Sequence, residues 1–209
     1  MKIFKTVSNL LLLVATVFLG YSYVNKKGIF SGTKPRYTGS DSVVEQEVVL
    51  AAFENLVRHD GKLVSSADYA GKHMLVIFGF SACKHICPAE LGIASQLLNR
   101  LGTDADKLQV VFITVDPEND TVEKLHDYHR AFDERIHMLT GDVSVIRNVV
   151  ENYKVYVGRS DTDSDIDHSS FMYLIDKSGK YVGHFSPDLN EHDSQSDKLF
   201  SFVYGYLNS

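Results

Sequence analysis

The chain opens with a nearly unbroken apolar run from Val7 to Val24, centred on Leu10-Leu11-Leu12-Leu13-Val14 and flanked by Lys2, Lys5, Lys26 and Lys27. Some 18 residues at 1.5 Å rise give roughly 27 Å, enough to span a bilayer. The run has no polar face, so it predicts an uncleaved membrane anchor over residues 1–25. A cleaved signal peptide is the competing reading, and no Ala-x-Ala follows the apolar stretch to favour it. So few residues precede the run that the large domain is expected on the non-cytoplasmic side. Residues 26–45 are rich in Gly, Ser, Lys and Pro without periodicity, the pattern of a tether. Residues 46–209 are left as one domain.

Within that domain the apolar period changes from segment to segment. Phe53 to Val64 reads as a short hairpin turning at Asp60-Gly61. His73 to Phe80 (HMLVIFGF) and Leu108 to Val115 (LQVVFITV) are continuous apolar runs, the pattern of strands buried on both faces. Between them, Ala94, Leu97, Leu98 and Leu101 recur at helical spacing from Pro88 onward, and Gly102 ends the helix. Asp120 with Glu123 makes a capping-box pattern for a helix reaching about Phe132. Ile136 to Leu139 suits a short strand, and Asp142 to Tyr153 a helix with Ile146, Val149, Val150 and Tyr153 on one face. Phe171 to Asp176 and Tyr181 to Phe185 form a hairpin around Ser178-Gly179. Leu199, Phe202, Val203 and Tyr206 lie on one stripe of a last helix. This order predicts an α/β fold, a mixed sheet with helices on both faces.

Composition narrows the function. With 209 residues, 44% of them hydrophobic and including 12 Phe and 11 Tyr, the chain can build a core and is not a disordered tail. A formal net charge of -6 argues against nucleic acid as a partner. Two cysteines exclude a disulfide scaffold and a four-sulfur zinc site, but they allow one reactive pair.

That pair, Cys83 and Cys87, sits where a buried strand ends and a helix begins, in Phe78-Gly79-Phe80-Ser81-Ala82-Cys83-Lys84-His85-Ile86-Cys87-Pro88. Helix N-terminal amides and the dipole lower a thiol pKa there, and Lys84 and a protonated His85 act in the same sense. Two thiolates are soft ligands suited to Cu(I), with room for a third donor. Among nine histidines, His126 and His129 stand three apart on a predicted helix, a weak metal spacing. His168 ends an acidic loop from Arg159 to Asp167, just before a strand, and can lie beside the cysteine turn if that strand neighbours the one ending at Phe80. Spacing alone does not single it out. The loop's Asp161, Asp163, Asp165 and Asp167 mimic a calcium loop, but Ile166 stands where such a loop needs Gly.

Phe-Gly-Phe-Ser-x-Cys-x-x-x-Cys-Pro, then Val115-Asp116-Pro117-Glu118-x-Asp120-Thr121, then Asp167-His168-Ser169 before a strand resembles the Sco/SenC family. These are membrane-anchored, thioredoxin-like proteins that deliver copper to the dinuclear site of cytochrome c oxidase subunit II. The resemblance runs from about Phe53 to Phe185. It implies a thioredoxin-like fold, a copper ion as cargo, Cys83 and Cys87 as sulfur ligands, His168 as nitrogen ligand, and subunit II or a related copper protein as partner. Asp116 and Asp120 match its acidic motif, which helix capping and turn formation also explain. The family often has Pro-Asp after the first cysteine; here Lys84 and His85 replace them, which either makes thiolates easier to form and the site less hospitable to Cu(II) or offers His85 as an extra ligand.

Three functions compete. The first is a copper chaperone without turnover. The second is a thiol-disulfide oxidoreductase acting through Cys83 and Cys87 on the acceptor's copper-site cysteines, for which a third metal donor would be unnecessary. The third is a membrane-tethered redox or copper sensor. The chaperone is the leading expectation. The short basic segment before the apolar run lacks an Arg/Ser-rich leader, pointing to a bacterial inner membrane with the domain facing the periplasm.

Overall fold

The computed structural model describes residues 52–159, 166–168, 170–188 and 195–208. The expected anchor over residues 1–25 and the tether over 26–45 lie outside them. Among the described residues no helix is long and apolar enough to cross a membrane.

Seven strands form one mixed sheet: β1 (Leu56–Arg58), β2 (Leu63–Val64), β3 (His73–Gly79), β4 (Leu108–Thr114), β5 (His137–Thr140), β8 (Met172–Ile175) and β9 (Tyr181–Phe185). Their order is β2-β1-β5-β4-β3-β8-β9, and β6 (Val157–Arg159) pairs with β7 (Ile166–His168) in a separate hairpin. The central β3, β4 and β5 run parallel, and the outer pairings are antiparallel.

The central strands are buried on both faces, so their alternating side chains build two cores. Leu75 and Ile77 of β3, with Val110 and Phe112 of β4, face one side. There they meet α1 (Ile86–Leu101), α2 (Val122–His129) and α4 (Gln195–Leu207) through Leu91, Leu98, Leu125, Leu199 and Val203. Met74, Val76, Phe78, Val111 and Ile113 face the other side, against Ile146 and Val149 of α3 (Val143–Asn152). The mixed sheet with helices on both faces is therefore as expected.

Three details differ. The first helix begins at Ile86, not Pro88, so Cys87 is helical. This is possible because the first helical N–H groups need no intrahelical acceptor, and a proline there loses nothing. The cap of α2 is Thr121, whose hydroxyl accepts from Lys124 N–H, and not Asp120, which is turned inward. The acidic loop is entered and left through β6 and β7, two three-residue strands too short and polar for periodicity to detect; residues 160–165 between them lie outside the described residues.

Candidate metal centre

The site grows from the C-terminal ends of β3 and β4. After Gly79 the chain leaves the sheet in a turn, with Cys83 N–H donating to Phe80 C=O, and re-enters order as α1. Gly79 is needed for space: a Cβ there would stand 2.7 Å from Cys87 Sγ and 2.7 Å from the Phe112 ring. Real Cβ atoms do not approach so closely, so this glycine lets the inner sulfur pack against the strand.

A buried acid fixes the turn. Asp120, fully buried, accepts from Ser81 N–H at 3.0 Å, from the Ser81 hydroxyl, and from the Thr114 hydroxyl at 2.7 Å. Lys124 Nζ approaches it at 3.7 Å. Asp116 accepts twice from Asn119 Nδ2, and its N–H donates to Thr114 Oγ1. The acidic motif after β4 thus ties the loop at the end of β4 to the loop carrying the cysteines. Turn formation was the right reading for Asp116. For Asp120 the role is a latch across two loops, which linear spacing does not reveal.

The two thiols are unequal. Cys87 is fully buried at the start of α1, whereas Cys83 is half-exposed in the turn, and the two are not joined in a disulfide. The Cys87 thiol donates to Cys83, and the backbone N–H groups of Cys87, His85 and Ile86 also point at the Cys83 sulfur. Together they outweigh burial and bring its pKa down to about 4, so Cys83 is a thiolate at neutral pH. Donation to Cys83 and burial push Cys87 up, against the lowering effect of Phe80 N–H, and it keeps its proton. Lys84 and His85 are exposed beside the pair.

His168 is the last residue of β7, opposite Val157. In the antiparallel pairing of β8 with β3, Met172 lies opposite Ile77 and Ile175 opposite Met74. The chain entering β8 therefore comes in at the end of β3 from which the cysteine turn departs. The strand after His168 does neighbour the strand before the cysteines, the condition under which the sequence allowed convergence. The His168 side chain itself lies outside what is described.

Two buried groups nearby escaped sequence reasoning. Glu90, one helical turn after Cys87, is fully buried with neither carboxylate oxygen hydrogen-bonded, and burial followed by the Cys83 charge raises it to about 8. Tyr128 of α2 also has a buried, unbonded hydroxyl, raised first of all by burial. A glutamate three residues past a cysteine on the core face was the available signal for the first. A cavity of about 290 Å³ lies at the opposite end of the fold, beside Tyr69, Lys72, Tyr153 and Asp176, and does not touch the cysteines.

The SCO1/SenC family model matches residues 43–203. This chain belongs to the SCO1/SenC family. An SCO2-like protein of Rickettsia prowazekii is 32% identical over 185 residues, covering 86% of this chain and 90% of its own length. Bradyrhizobium japonicum ScoI, solved with copper bound, superposes with a TM-score of 0.65 at 33% identity, over 75% of this chain and 98% of the other. Yeast Sco1 with copper bound gives 0.63 at 32% identity, over 75% and 88%. The mixed sheet with its helices is thus the thioredoxin-like fold of Sco proteins, and relatives of this chain hold copper.

Proposed function

We propose that this protein binds copper through Cys83, Cys87 and His168 and passes it to a copper site being assembled in cytochrome c oxidase, with the dinuclear site of subunit II as acceptor. The observation that carries the reading is the polarised sulfur pair: a thiolate and a thiol within hydrogen-bonding reach of each other, at a helix N-terminus at the mouth of the fold. A thiolate already present at neutral pH is a soft donor ready for Cu(I), and only the second sulfur must lose a proton on binding. Copper-bound relatives at 32–33% identity support the same cargo. An imidazole on the chain entering β8 completes a three-donor set, and the apolar run at residues 7–24 would hold the domain against a bacterial inner membrane on its periplasmic side.

The test is Cu(I) titration of the reduced full-length chain against a competing chelator, for the wild type, Cys83→Ser and His168→Ala. We expect Cys83→Ser to weaken binding by more than about 100-fold, beyond what loss of an outer-shell partner causes, and His168→Ala to weaken it clearly. Equal affinity in all three overturns the reading.

The unequal thiols also favour a second reading, thiol-disulfide exchange with the acceptor's cysteines: an exposed low-pKa nucleophile beside a buried resolving thiol is the arrangement such exchange uses. His168→Ala separates the two, since it removes a copper ligand and leaves exchange unaffected.

A further inference from the structure

His85 holds the N-cap position of α1, yet its side chain makes no capping hydrogen bond. Asp or Asn at such a position accepts a bond from the first helical turn, and giving that up costs about 1 kcal/mol. Among the described residues the exposed His85 ring has no other hydrogen-bond partner either. Its backbone is committed: the His85 N–H points at the Cys83 sulfur, together with the N–H groups of Ile86 and Cys87. Because the N–Cα bond is only about 1.5 Å long, the Cα that carries the imidazole stands close to that sulfur. We propose that His85 is a nitrogen ligand which this chain adds to its cysteine pair, so that the site holds a borderline divalent ion of the zinc class besides soft Cu(I). The inference rests on the first reading above only for the identity of the other three donors.

The chemistry of the donors sets what the addition does. Cys83, His85 and Cys87 occupy alternate positions of one five-residue stretch. Thiolates alone suit Cu(I), which asks little of a nitrogen donor. Zn(II) is borderline in softness and favours four ligands in a tetrahedron, with two Cys and two His among its common sets. Two sulfurs and the single imidazole of His168 leave such an ion one donor short. His85 supplies the missing nitrogen and closes the set.

The ring has to turn inward to do this, since among the described residues no three donors yet meet at one point. That turn is cheap. The ring is exposed and unbonded, so moving it between staggered rotamers breaks no side-chain hydrogen bond. The backbone that carries it already lies against Cys83 and keeps its bond to the sulfur. His126 is exposed as well, but it faces the His59 ring at the far edge of the sheet.

The experiment titrates the reduced, metal-free full-length chain with Zn(II), and separately with Cu(I), each against a competing chelator, for the wild type and His85→Asn. Asn is itself a good N-cap, so the variant keeps the helix start and loses only the imidazole. We expect zinc affinity to fall by more than about 100-fold, beyond what loss of an outer-shell partner causes. Cu(I) affinity should change by less than about threefold, since the sulfurs that bind it are untouched. Co(II) in place of zinc should give the wild type the visible spectrum of a tetrahedral ion with sulfur ligands, and His85→Asn should lose it. The NMR resonance of a His85 ring nitrogen should move when Zn(II) is added to the wild type. Equal zinc affinity in the two proteins, zinc and copper affinities that fall by the same factor, or an unmoved His85 resonance overturns the proposal. A wild type that binds Cu(I) but not Zn(II) overturns it too and leaves the copper reading standing. Zinc held through His85 by a chain that binds no Cu(I) overturns the copper reading alone.

Discussion

The cysteine turn and the β1–β5 edge of the sheet both gather side chains that bind metals, and the fold treats them in opposite ways. At the turn, three backbone N–H groups and one thiol converge on Cys83 and favour its charged, donor-ready form. At the edge, His59 stacks on His129 with ring centroids 3.9 Å apart, and His126 and His137 lie 6.3 and 6.4 Å from His59. Two of these rings have partnered nitrogens, whereas among the described residues His129 Nε2 is buried without a hydrogen-bond partner. His59 Nδ1 accepts from Met138 N–H, and His137 Nε2 faces Arg58, which can only donate, while Nδ1 meets the Tyr69 hydroxyl. Among the described residues no three His, Cys, Asp or Glu side chains are placed to hold an ion. The difference lies in the electrostatics: donors at the turn stabilise a charged sulfur, whereas burial, with Arg58 nearby, favours the neutral form of His59 and His137.

The largest effect that would test this separation comes from Asp120→Ala. It strands the Ser81 N–H and the Thr114 hydroxyl, and a buried donor without an acceptor costs about 1–3 kcal/mol. We expect a loss near about 3 kcal/mol in denaturant unfolding and a disturbed Cys83 titration, with the histidine titrations followed by NMR unchanged. Shifted histidines would show that the two regions are not independent.

A smaller effect concerns acid. Burial first, then repulsion from neighbouring charges, holds His59 and His137 down at about 4, against 6.5 when unfolded. The unfolded chain therefore binds more protons below pH 6.5. Their contribution to stability is complete above that pH and is lost as pH falls toward 4. His137→Gln should flatten the fall of melting temperature between pH 7 and 4.5; an unchanged slope would deny the edge its role in acid sensitivity.

The smallest effect is at Lys84, exposed beside the pair. Lys84→Ala should raise the Cys83 titration only slightly, and about 1 M salt, with its 3 Å Debye length, should erase the difference. A large, salt-resistant shift would mean that the side-chain charge, not the backbone amides, sets the thiolate.

The sheet was legible because β3 and β4 are long apolar runs bounded by turn residues, and the stripes of α1 and α4 repeat at helical spacing. The cysteine site was legible because both thiols fall at a strand-to-helix junction. Asp120 was misread as a cap because its partners, Ser81 and Thr114, are distant or on another element, and sequence offers only the near neighbour Glu123. The hairpin of β6 and β7 left no periodic trace in three residues a side. Glu90 reads as one more polar helix position until burial shows it enclosed by the core. The four histidines, spread from residue 59 to 137, give no hint in linear order that they meet.

The depth difference between the two sulfurs imposes a sequence of events on anything that arrives from outside. A reagent, a disulfide or another protein's thiol reaches Cys83 first and Cys87 only afterwards, because the inner sulfur is sealed against Gly79 and the sheet. Traffic at this mouth is single-file, and the outer sulfur is its doorkeeper.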